Sequence, residues 1–389
     1  MTRRDTDRPT TALLAHPSAD LYGSDRVLLE TIEGLRSEGI EVMLAVPAHG
    51  PLVAEAISRG ASVRICPTPV LRKALLSPLG LIRLAVESLR SLVSSIRLVW
   101  ELRPALIYVN TITIPLWPVV SVLTRKPLLI HVHEAEGSAS LPVRKLLALP
   151  LFLADTLVTN SRFSVDVLGS SFASLAGRCT VITNGVAGPQ SAKRGRAELA
   201  EAVRLVYVGR LSHRKGPDVV VDAVADLGAK GIRAELHIVG AVYPGNEAFE
   251  AGLRQRIEEQ GLSNVVHLHG FQASVWPFLA DADIVVVPSR VDEPFGNTAV
   301  EAMLAARPAV VSDTSGLREA SAGFASVIRV SPASSAAIAE AVSDIVSSWA
   351  TYRDAALLDA EQARKRNGIA GYRQAIAGEA MSLLAREGR

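Results

Sequence analysis

The sequence predicts an α/β protein with two consecutive parallel-sheet domains. Short apolar runs alternate with amphipathic segments along most of the 389 residues, a pattern typical of parallel sheets that helices cover on both faces. The length allows two or three domains, each large enough to bury its own core. A stretch rich in Gly, Ala, Lys and Arg interrupts the alternation, and we place an interdomain linker there, at 186–201.

The first predicted domain covers residues 1–185. Amphipathic segments such as Asp25 to Glu38 and Leu141 to Leu153 are helical candidates, and seven apolar runs have the length of buried strands. These runs are TALLAH, EVMLAV, SVRIC, ALIYV, PLLIHV, DTLVTN and CTVIT.

The second predicted domain covers residues 202–360. A helical tail is predicted over 361–389, and one interpretation is that it crosses back to the N-terminal domain. Its predicted strands are VRLVYV, RAELHIV, NVVHLHG, DIVVVP, PAVVS and ASVIRV. We expect the two sheets to face each other across a cleft, with the ligand at the carboxyl ends of the strands.

Composition excludes several classes of protein. The chain has 41 Lys+Arg against 39 Asp+Glu, so it lacks the basic footprint of a nucleic-acid binder. Cys66 and Cys179 cannot form a disulfide framework, and neither lies in a CxxC pair that holds a metal. We therefore expect a reducing cytoplasm, and the polar N-terminus lacks the apolar core of a signal peptide.

One uncharged stretch, Pro104–Thr124, is long enough to cross a bilayer. It contains prolines at 115 and 118, which break a continuous helix. We predict a buried strand over Ala105–Val109, a turn and a short helix.

The most informative motif is EPFGNTAVE, from Glu293 to Glu301, directly after the strand DIVVVP and a short loop. Gly296 shapes a turn, and Asn297 or Thr298 is expected to cap the helix that follows. Free amides at that helix start would suit a diphosphate. Glu301, one turn inside the helix, could accept hydrogen bonds from sugar hydroxyls, and Glu293 could contact a second sugar.

A second motif, VGRLSHRKG, spans Val208 to Gly216 and follows the strand VRLVYV. It places Arg210 and Lys215 in a loop at the end of that strand. Two cations there can neutralise a diphosphate leaving group, Arg as a planar fork and Lys as a point charge.

Together these motifs resemble the family 4 glycosyltransferases, retaining enzymes of the two-domain GT-B fold that use nucleotide-sugars. The resemblance covers nearly the whole chain and is most specific in its C-terminal half. Flanking pieces match as well, among them VITNG, which contains Asn184, LHIVG, which ends at Gly240, and HGF, ADIVVVPS and EAM.

The resemblance implies roles for individual positions. Arg210 and Lys215 would hold the donor diphosphate, Glu301 the nucleotide ribose and Glu293 the transferred sugar. The full substrate-binding set that it implies is Gly23, Ser24, Asn184, Gly240, Phe295, Gly296, Asn297, Thr298 and Glu301, with backbone amides of Phe295–Asn297 near the donor.

In the N-terminal half the resemblance implies a loop over the donor phosphates and a histidine at the reaction centre. The loop is HPSADLYGSDR, where Gly23 is the one glycine while many relatives have two. The histidine is His133 or His131 in PLLIHVHEAEG. We prefer His133, because it precedes Glu134 and lies farther past the strand, and the choice stays open.

The implied reaction moves a sugar from a UDP- or GDP-linked donor to a glycan, lipid-linked or small-molecule acceptor with retained anomeric configuration. The family offers no protein nucleophile, and the departing phosphate would accept the acceptor's proton in a front-face substitution. No cofactor and no metal ion are expected. The alternatives are a nucleotide-sugar 2-epimerase of the same fold and a non-catalytic nucleotide-binding member.

Residues 70–103 carry six basic and two acidic side chains, with Arg83, Arg90 and Arg97 seven positions apart. The pattern fits two interpretations: a helix on the sheet with its arginines in water, or a basic amphipathic helix on anionic lipid. The second would place the chain peripherally on the inner face of the cell membrane, in cell-envelope polysaccharide or glycolipid biosynthesis.

Overall fold

The computed structural model describes residues 9–70, 78–134, 137–243 and 245–387, with side chains throughout except at 78–86. The chain forms two compact units. Unit 1 comprises the residues up to Gly185 together with the helix that begins at Ile369, and unit 2 is Val186–Gly368.

Unit 1 contains a parallel sheet in the order β3-β2-β1-β4-β5-β6-β7. Each strand coincides with one of the seven apolar runs, so this part of the prediction is confirmed. The strand order reverses between β1 and β4, and at such a reversal the loops leaving neighbouring strands diverge and expose a crevice. The strands are β1 (Thr11–Ala15), β2 (Glu41–Val46), β3 (Ser62–Ile65), β4 (Leu106–Val109), β5 (Leu128–Val132), β6 (Thr156–Thr159) and β7 (Cys179–Val181).

Helices cover both faces of this sheet. The predicted helix Leu141–Leu153 is α-helical only as far as Ala148 and continues as a 3₁₀ helix, Leu149–Leu153, because Pro150 cannot donate an α-helical hydrogen bond. The helices are α1 (Gly23–Ser37), α2 (Pro51–Ser58), α3 (Pro78–Leu102), α4 (Leu116–Thr124), α5 (Leu141–Ala148), α6 (Arg162–Ser171) and α7 (Ala173–Ala176).

The uncharged stretch after Pro104 is a buried strand followed by a short helix, β4 and α4, as predicted. Among the described residues, no helix combines the length and the hydropathy that a membrane crossing requires.

Unit 2 contains a second parallel sheet in the order β10-β9-β8-β11-β12-β13, which confirms the six runs predicted there. Its strands are β8 (Val203–Val208), β9 (Ala234–Val239), β10 (Val266–Leu268), β11 (Ile284–Val287), β12 (Ala309–Ser312) and β13 (Val327–Val330). Its helices are α8 (Pro217–Ala229), α9 (Glu247–Glu259), α10 (Trp276–Asp281), α11 (Asn297–Leu304), α12 (Ser315–Ala320), α13 (Ser335–Ser347) and α14 (Trp349–Asn367).

The boundaries of the predicted linker and tail differ from those observed. The segment 186–201 belongs to unit 2, because side chains of that unit hold its carbonyl groups: the Trp349 indole donates to Arg196 and the Arg307 guanidinium to Lys193. The predicted tail divides at Gly368, since residues 361–367 still belong to α14, which packs on α11.

The last helix, α15 (Ile369–Glu387), belongs to unit 1 and packs on α1. The Tyr372 hydroxyl lies 2.6 Å from Thr31 Oγ1, and Arg373 pairs with Glu30. Tyr372 and neighbouring apolar residues of α15 are part of the unit 1 core.

Candidate functional site

In unit 2 an acidic side chain and several basic ones meet where two neighbouring strands end. β8 and β11 are paired in parallel, so the loops that follow them leave the same edge of the sheet. Lys215, from the loop after β8, places its Nζ 2.9 Å from Oε2 of Glu293, from the loop after β11. Arg214 Nη2 lies 3.7 Å from the same oxygen, and the Ser289 hydroxyl donates to Oε1 at 2.8 Å.

These neighbours keep Glu293 ionised although its side chain is buried. Burial alone would raise the pKa of the carboxyl group, because it removes water from the charged form. Lys215, Arg214 and the hydrogen bond from Ser289 outweigh that effect, and the pKa of Glu293 lies below its ordinary value. Glu293 is therefore a hydrogen-bond acceptor at neutral pH and not a proton donor.

Arg210, the other predicted diphosphate ligand, is supported from two sides. Its guanidinium lies over the ring of Tyr243, 5.3 Å from the centroid, and the Tyr207 hydroxyl donates to its carbonyl oxygen at 2.8 Å. The first contact restricts where the guanidinium can lie, and the second holds the backbone of the loop that carries it.

The helix after Glu293 starts as predicted, but its cap is different. Gly296 is the N-cap residue, at φ +109°, and no side chain caps α11. The prediction that Asn297 or Thr298 caps it is wrong, because both already have helical geometry and Thr298 donates instead to the Val208 carbonyl, at 3.4 Å. A φ of +109° strains any residue with a side chain, and a Cβ on Gly296 would also meet Leu317 Cδ2 at 2.5 Å, so glycine is strongly favoured here.

The remaining predicted residues of unit 2 flank this cluster in the chain. Phe295 is buried and belongs to a hydrophobic core cluster of unit 2. Glu301 lies one turn inside α11, partly buried. Gly240, directly after β9, has no room for a side chain: a Cβ there would lie 1.8 Å from the carbonyl oxygen of Gly209, the residue before Arg210.

In unit 1 polar side chains follow neighbouring strands β1, β4 and β5. His16 comes directly after β1, Asn110 directly after β4 and His133 directly after β5. Asp25 Oδ1 lies 2.6 Å from His16 Nε2, the Asn110 amide nitrogen 3.1 Å from His16 Nδ1, and the Asn110 amide oxygen 2.9 Å from His133 Nε2. All four side chains are buried.

This chain of hydrogen bonds determines where His133 carries its proton. The Asn110 amide nitrogen can only donate, so His16 accepts from it at Nδ1 and donates from Nε2 to the Asp25 carboxylate. The amide oxygen then faces His133 and accepts from its Nε2. His133 Nδ1 keeps a lone pair that has no hydrogen-bond partner among the described residues.

His131 and His133 both have environments that favour the neutral form. Burial lowers the pKa of His133 to about 3, and it also lowers the pKa of His131. His131 lies within β5, and its Nδ1 is 2.7 Å from the Tyr108 hydroxyl. His133 comes one residue after β5 and belongs to the chain of hydrogen bonds from Asp25, which distinguishes it from His131.

Sequence reasoning missed His16, Asp25 and Asn110. The signal was present, because His16 is the last residue of the predicted run TALLAH and Asn110 directly follows the predicted run ALIYV, and ligand-binding residues of parallel sheets often lie at such strand ends. The predicted Gly23 and Ser24 open α1, directly before Asp25. Asn184 follows β7 and is buried.

A cavity in unit 2 lies apart from the predicted site. A cavity of about 320 Å³ in unit 2 is lined by Trp276, Pro277, Arg307 and other residues, none of which belongs to the predicted site. Across the described ranges, no group of three or more His, Cys, Asp or Glu is arranged to hold a metal ion.

Curated relatives match parts of the chain. It is 33% identical over 182 residues to a D-inositol 3-phosphate glycosyltransferase of Geodermatophilus obscurus, over 43% of this chain and 40% of that protein. It is 37% identical over 120 residues to a GDP-mannose-dependent α-(1-6)-phosphatidylinositol dimannoside mannosyltransferase of Mycobacterium tuberculosis, over 30% of this chain and 29% of that protein. The matches thus span less than half the length of these relatives.

A solved structure shares the fold over almost the whole chain. The Anabaena protein Alr3699/HepE, solved in complex with UDP-glucose, superposes with a TM-score of 0.82 at 21% identity, over 96% of this chain and 99% of that one. Residues 22–187 match the family model described as Glycosyltransferase Family 4, and residues 191–365 match Glycosyl transferases group 1. The two models cover most of unit 1 and of unit 2, and the chain therefore belongs to the family 4 glycosyltransferases with the two-domain GT-B fold.

Proposed function

We propose that the chain is a retaining hexosyltransferase that moves a sugar from a UDP- or GDP-linked donor to a glycan, lipid-linked or small-molecule acceptor without a metal ion. The observation that carries the proposal is the contact of Lys215 with buried, ionised Glu293 beside Arg214. This cluster combines fixed positive charge for a diphosphate with a carboxylate acceptor for sugar hydroxyls.

The leaving group needs stabilisation as its negative charge grows. Arg210 and Lys215 supply two cations, and α11 supplies first-turn amides and the positive end of its dipole. Here these groups would stabilise the charge of the departing diphosphate, as a metal ion does in other enzymes whose leaving group is a phosphate. Glu301, one turn inside α11, is proposed to accept hydrogen bonds from the nucleotide ribose.

Glu293 is proposed to bind the transferred sugar and not to attack it. An ionised carboxylate that accepts from Ser289 and pairs with Lys215 already has its oxygens engaged, which makes it a poor nucleophile. The front-face route, with the departing phosphate taking the acceptor's proton, needs no such nucleophile. The His133 Nδ1 lone pair is proposed to accept a hydrogen bond from the donor sugar.

The names of similar proteins support both candidate nucleotides. The mycobacterial relative is named as GDP-mannose-dependent, and the Anabaena structure contains UDP-glucose. The decisive experiment is therefore calorimetric titration of the purified chain with UDP and with GDP in EDTA. We expect one nucleotide to bind, and binding to be lost in Arg210→Ala and in Glu301→Ala.

Controls make this experiment specific. Arg254→Ala changes an exposed arginine that pairs with Glu250 on the surface of α9, and it should leave nucleotide binding unchanged. Absence of binding of either nucleotide to the wild-type chain would count against the proposal. Turnover of the donor without any acceptor would instead indicate an epimerase.

We also propose that the reaction serves cell-envelope polysaccharide or glycolipid synthesis at the cytoplasmic face of the membrane. The part of residues 70–103 that the structure describes supports this, since α3 exposes Arg90 and Arg97. Arg83, the third member of the repeat, lies outside the described side chains.

A further inference from the structure

Three neighbouring elements of unit 1 bury one side in the same core and expose the other. α3, α4 and the 3₁₀ helix Leu149–Leu153 contribute Val99, Trp117, Val120 and Leu151 to one hydrophobic cluster on the sheet. α3 contacts α4, α4 contacts the 3₁₀ helix, and the 3₁₀ helix contacts α5. Their opposite sides therefore point away from the sheet on one face of the unit.

That outward face is largely apolar. Trp100 is 68% exposed, Leu89 65% and Leu146 61%, although burial of such large apolar side chains is normally favourable. Large apolar residues exposed side by side usually mark an interaction surface. The set, which we call the apolar–basic surface, contains Leu89, Val93, Trp100, Val119, Val122, Leu123, Leu141, Val143, Leu146, Leu149, Phe152 and Leu153.

The charges that accompany these side chains are mostly positive. Residues 87–126 and 141–153 contain seven basic side chains and two acidic ones, Glu87 and Glu101. The basic residues are Arg90, Arg97, Arg103, Arg125, Lys126, Arg144 and Lys145. Glu101 is 4.0 Å from Arg64, so its charge is partly balanced from outside the surface.

We propose that the apolar–basic surface docks on an anionic lipid bilayer. Exposed Leu, Val and Trp side chains can enter the boundary between headgroups and acyl chains, while long Arg and Lys side chains reach the phosphates. Trp100 has the amphipathic ring that favours this boundary. The surface extends well beyond residues 70–103, and docking does not depend on the proposed catalytic function.

Charge favours a bilayer over a second copy of this chain. In a two-fold dimer the same patch lies on both partners, so seven basic residues would face seven basic residues. Like charges held close together in this way oppose association. Anionic headgroups supply the opposite charge over the whole surface.

The test is co-sedimentation of the full chain with phosphatidylcholine vesicles, with or without one-third phosphatidylglycerol. We expect binding to the anionic vesicles only, weakened by added salt. Arg97→Glu with Lys145→Glu should lower the partition coefficient by at least about 25-fold, since each basic residue near such a surface contributes about fivefold. The double variant Trp100→Ser, Leu146→Ser should lower the partition coefficient by at least about tenfold, because two large apolar side chains are no longer transferred from water into the bilayer.

A matched control removes exposed apolar area elsewhere. Leu358, on α14 of unit 2, is 70% exposed, and Leu358→Ser should bind vesicles as the wild type does.

Tryptophan emission gives a second measurement: it should shift to the blue on anionic vesicles, and Trp100→Phe should lose most of that shift. Equal binding to neutral vesicles, no binding, or unchanged binding by well-folded surface variants would overturn the proposal. A dimer that those variants dissociate, without vesicle binding, would assign the surface to a second copy instead.

Discussion

The Lys215 ammonium lies 2.9 Å from Oε2 of Glu293, whose carboxylate is almost completely buried. The two residues are far apart in the chain but sit at the ends of neighbouring strands. Lys215 thus offsets the cost of burying a charge and at the same time holds a cation where a diphosphate is proposed to bind.

Removal of this cation should destabilise the protein in a pH-dependent way. For Lys215→Met we expect the free energy of unfolding at neutral pH to fall by about 1–3 kcal/mol, because a buried carboxylate loses its nearest partner while Arg214 and Ser289 remain. In the wild type the pKa of Glu293 lies below its ordinary value, so its stabilising effect is present above about pH 4.3 and is lost below it. Urea unfolding at several pH values measures both effects.

Two further variants make the measurement specific. With Glu293→Gln in the same chain, Lys215→Met should cost less, and the difference between the two costs gives the coupling energy. Lys365→Met, at an exposed position of α14, should change stability by less than about 0.5 kcal/mol. A Lys215→Met variant as stable as the wild type at neutral pH would show that the ion pair does not support Glu293.

Gly240 should tolerate no side chain. A Cβ at this position would lie 1.8 Å from the Gly209 carbonyl oxygen, with φ at +151°, so either β9 or the loop that carries Arg210 must move. We expect Gly240→Ala to cost at least about 3 kcal/mol and to weaken nucleotide binding. Gly252, inside α9, has open space around it, and Gly252→Ala should stabilise the helix by about 0.5–1 kcal/mol. Equal effects of the two substitutions on thermal unfolding would contradict the argument.

Most of the fold was predictable because buried parallel strands are short, continuous apolar runs. All thirteen strands of the described residues lie within predicted runs. The boundaries between units were less predictable, since the residues after Gly185 look polar and irregular but are held by Trp349 and Arg307, more than a hundred positions later. Tertiary contacts of that separation leave no local pattern.

Only part of the candidate site could be proposed from local motifs, and the roles of its residues stay predictions. Glu293, Lys215 and Arg210 were found from two local motifs, but the hydrogen bonds from Asp25 to His133 were not. They depend on the strand order, in which β1 lies beside β4 and β4 beside β5. The cap of α11 was mispredicted for a local reason, because the positive φ of Gly296 makes it the last non-helical residue.

Burial of His133 should make stability fall as the solution becomes acidic. Burial lowers the pKa of His133 to about 3, whereas an unfolded histidine titrates near 6.5. Between these values the unfolded chain binds one more proton, so the stability linked to His133 is complete above about pH 6.5 and is lost toward pH 3. Between pH 6.5 and 5.5 we expect the free energy of unfolding to fall by about 1 kcal/mol less in His133→Gln than in the wild type. Urea unfolding at both pH values measures this difference. An unchanged pH slope would indicate that His133 is protonated in the folded state.

Asn110 should control the tautomer of His133, since its amide oxygen accepts from Nε2 while its nitrogen donates to His16. In the wild type we expect ¹⁵N shifts that place the proton of His133 on Nε2, with the resonance assigned by its loss in His133→Gln. Asn110→Leu should cost about 1–3 kcal/mol, because two buried ring nitrogens lose their partners, and should let both tautomers coexist. Asn110→Asp keeps an acceptor for His133 Nε2 but loses the donor to His16, and it should preserve a proton on Nε2. Retention of a single Nε2 tautomer in Asn110→Leu would mean that the backbone and the packing around His133, and not the hydrogen bonds from Asp25, determine its protonation.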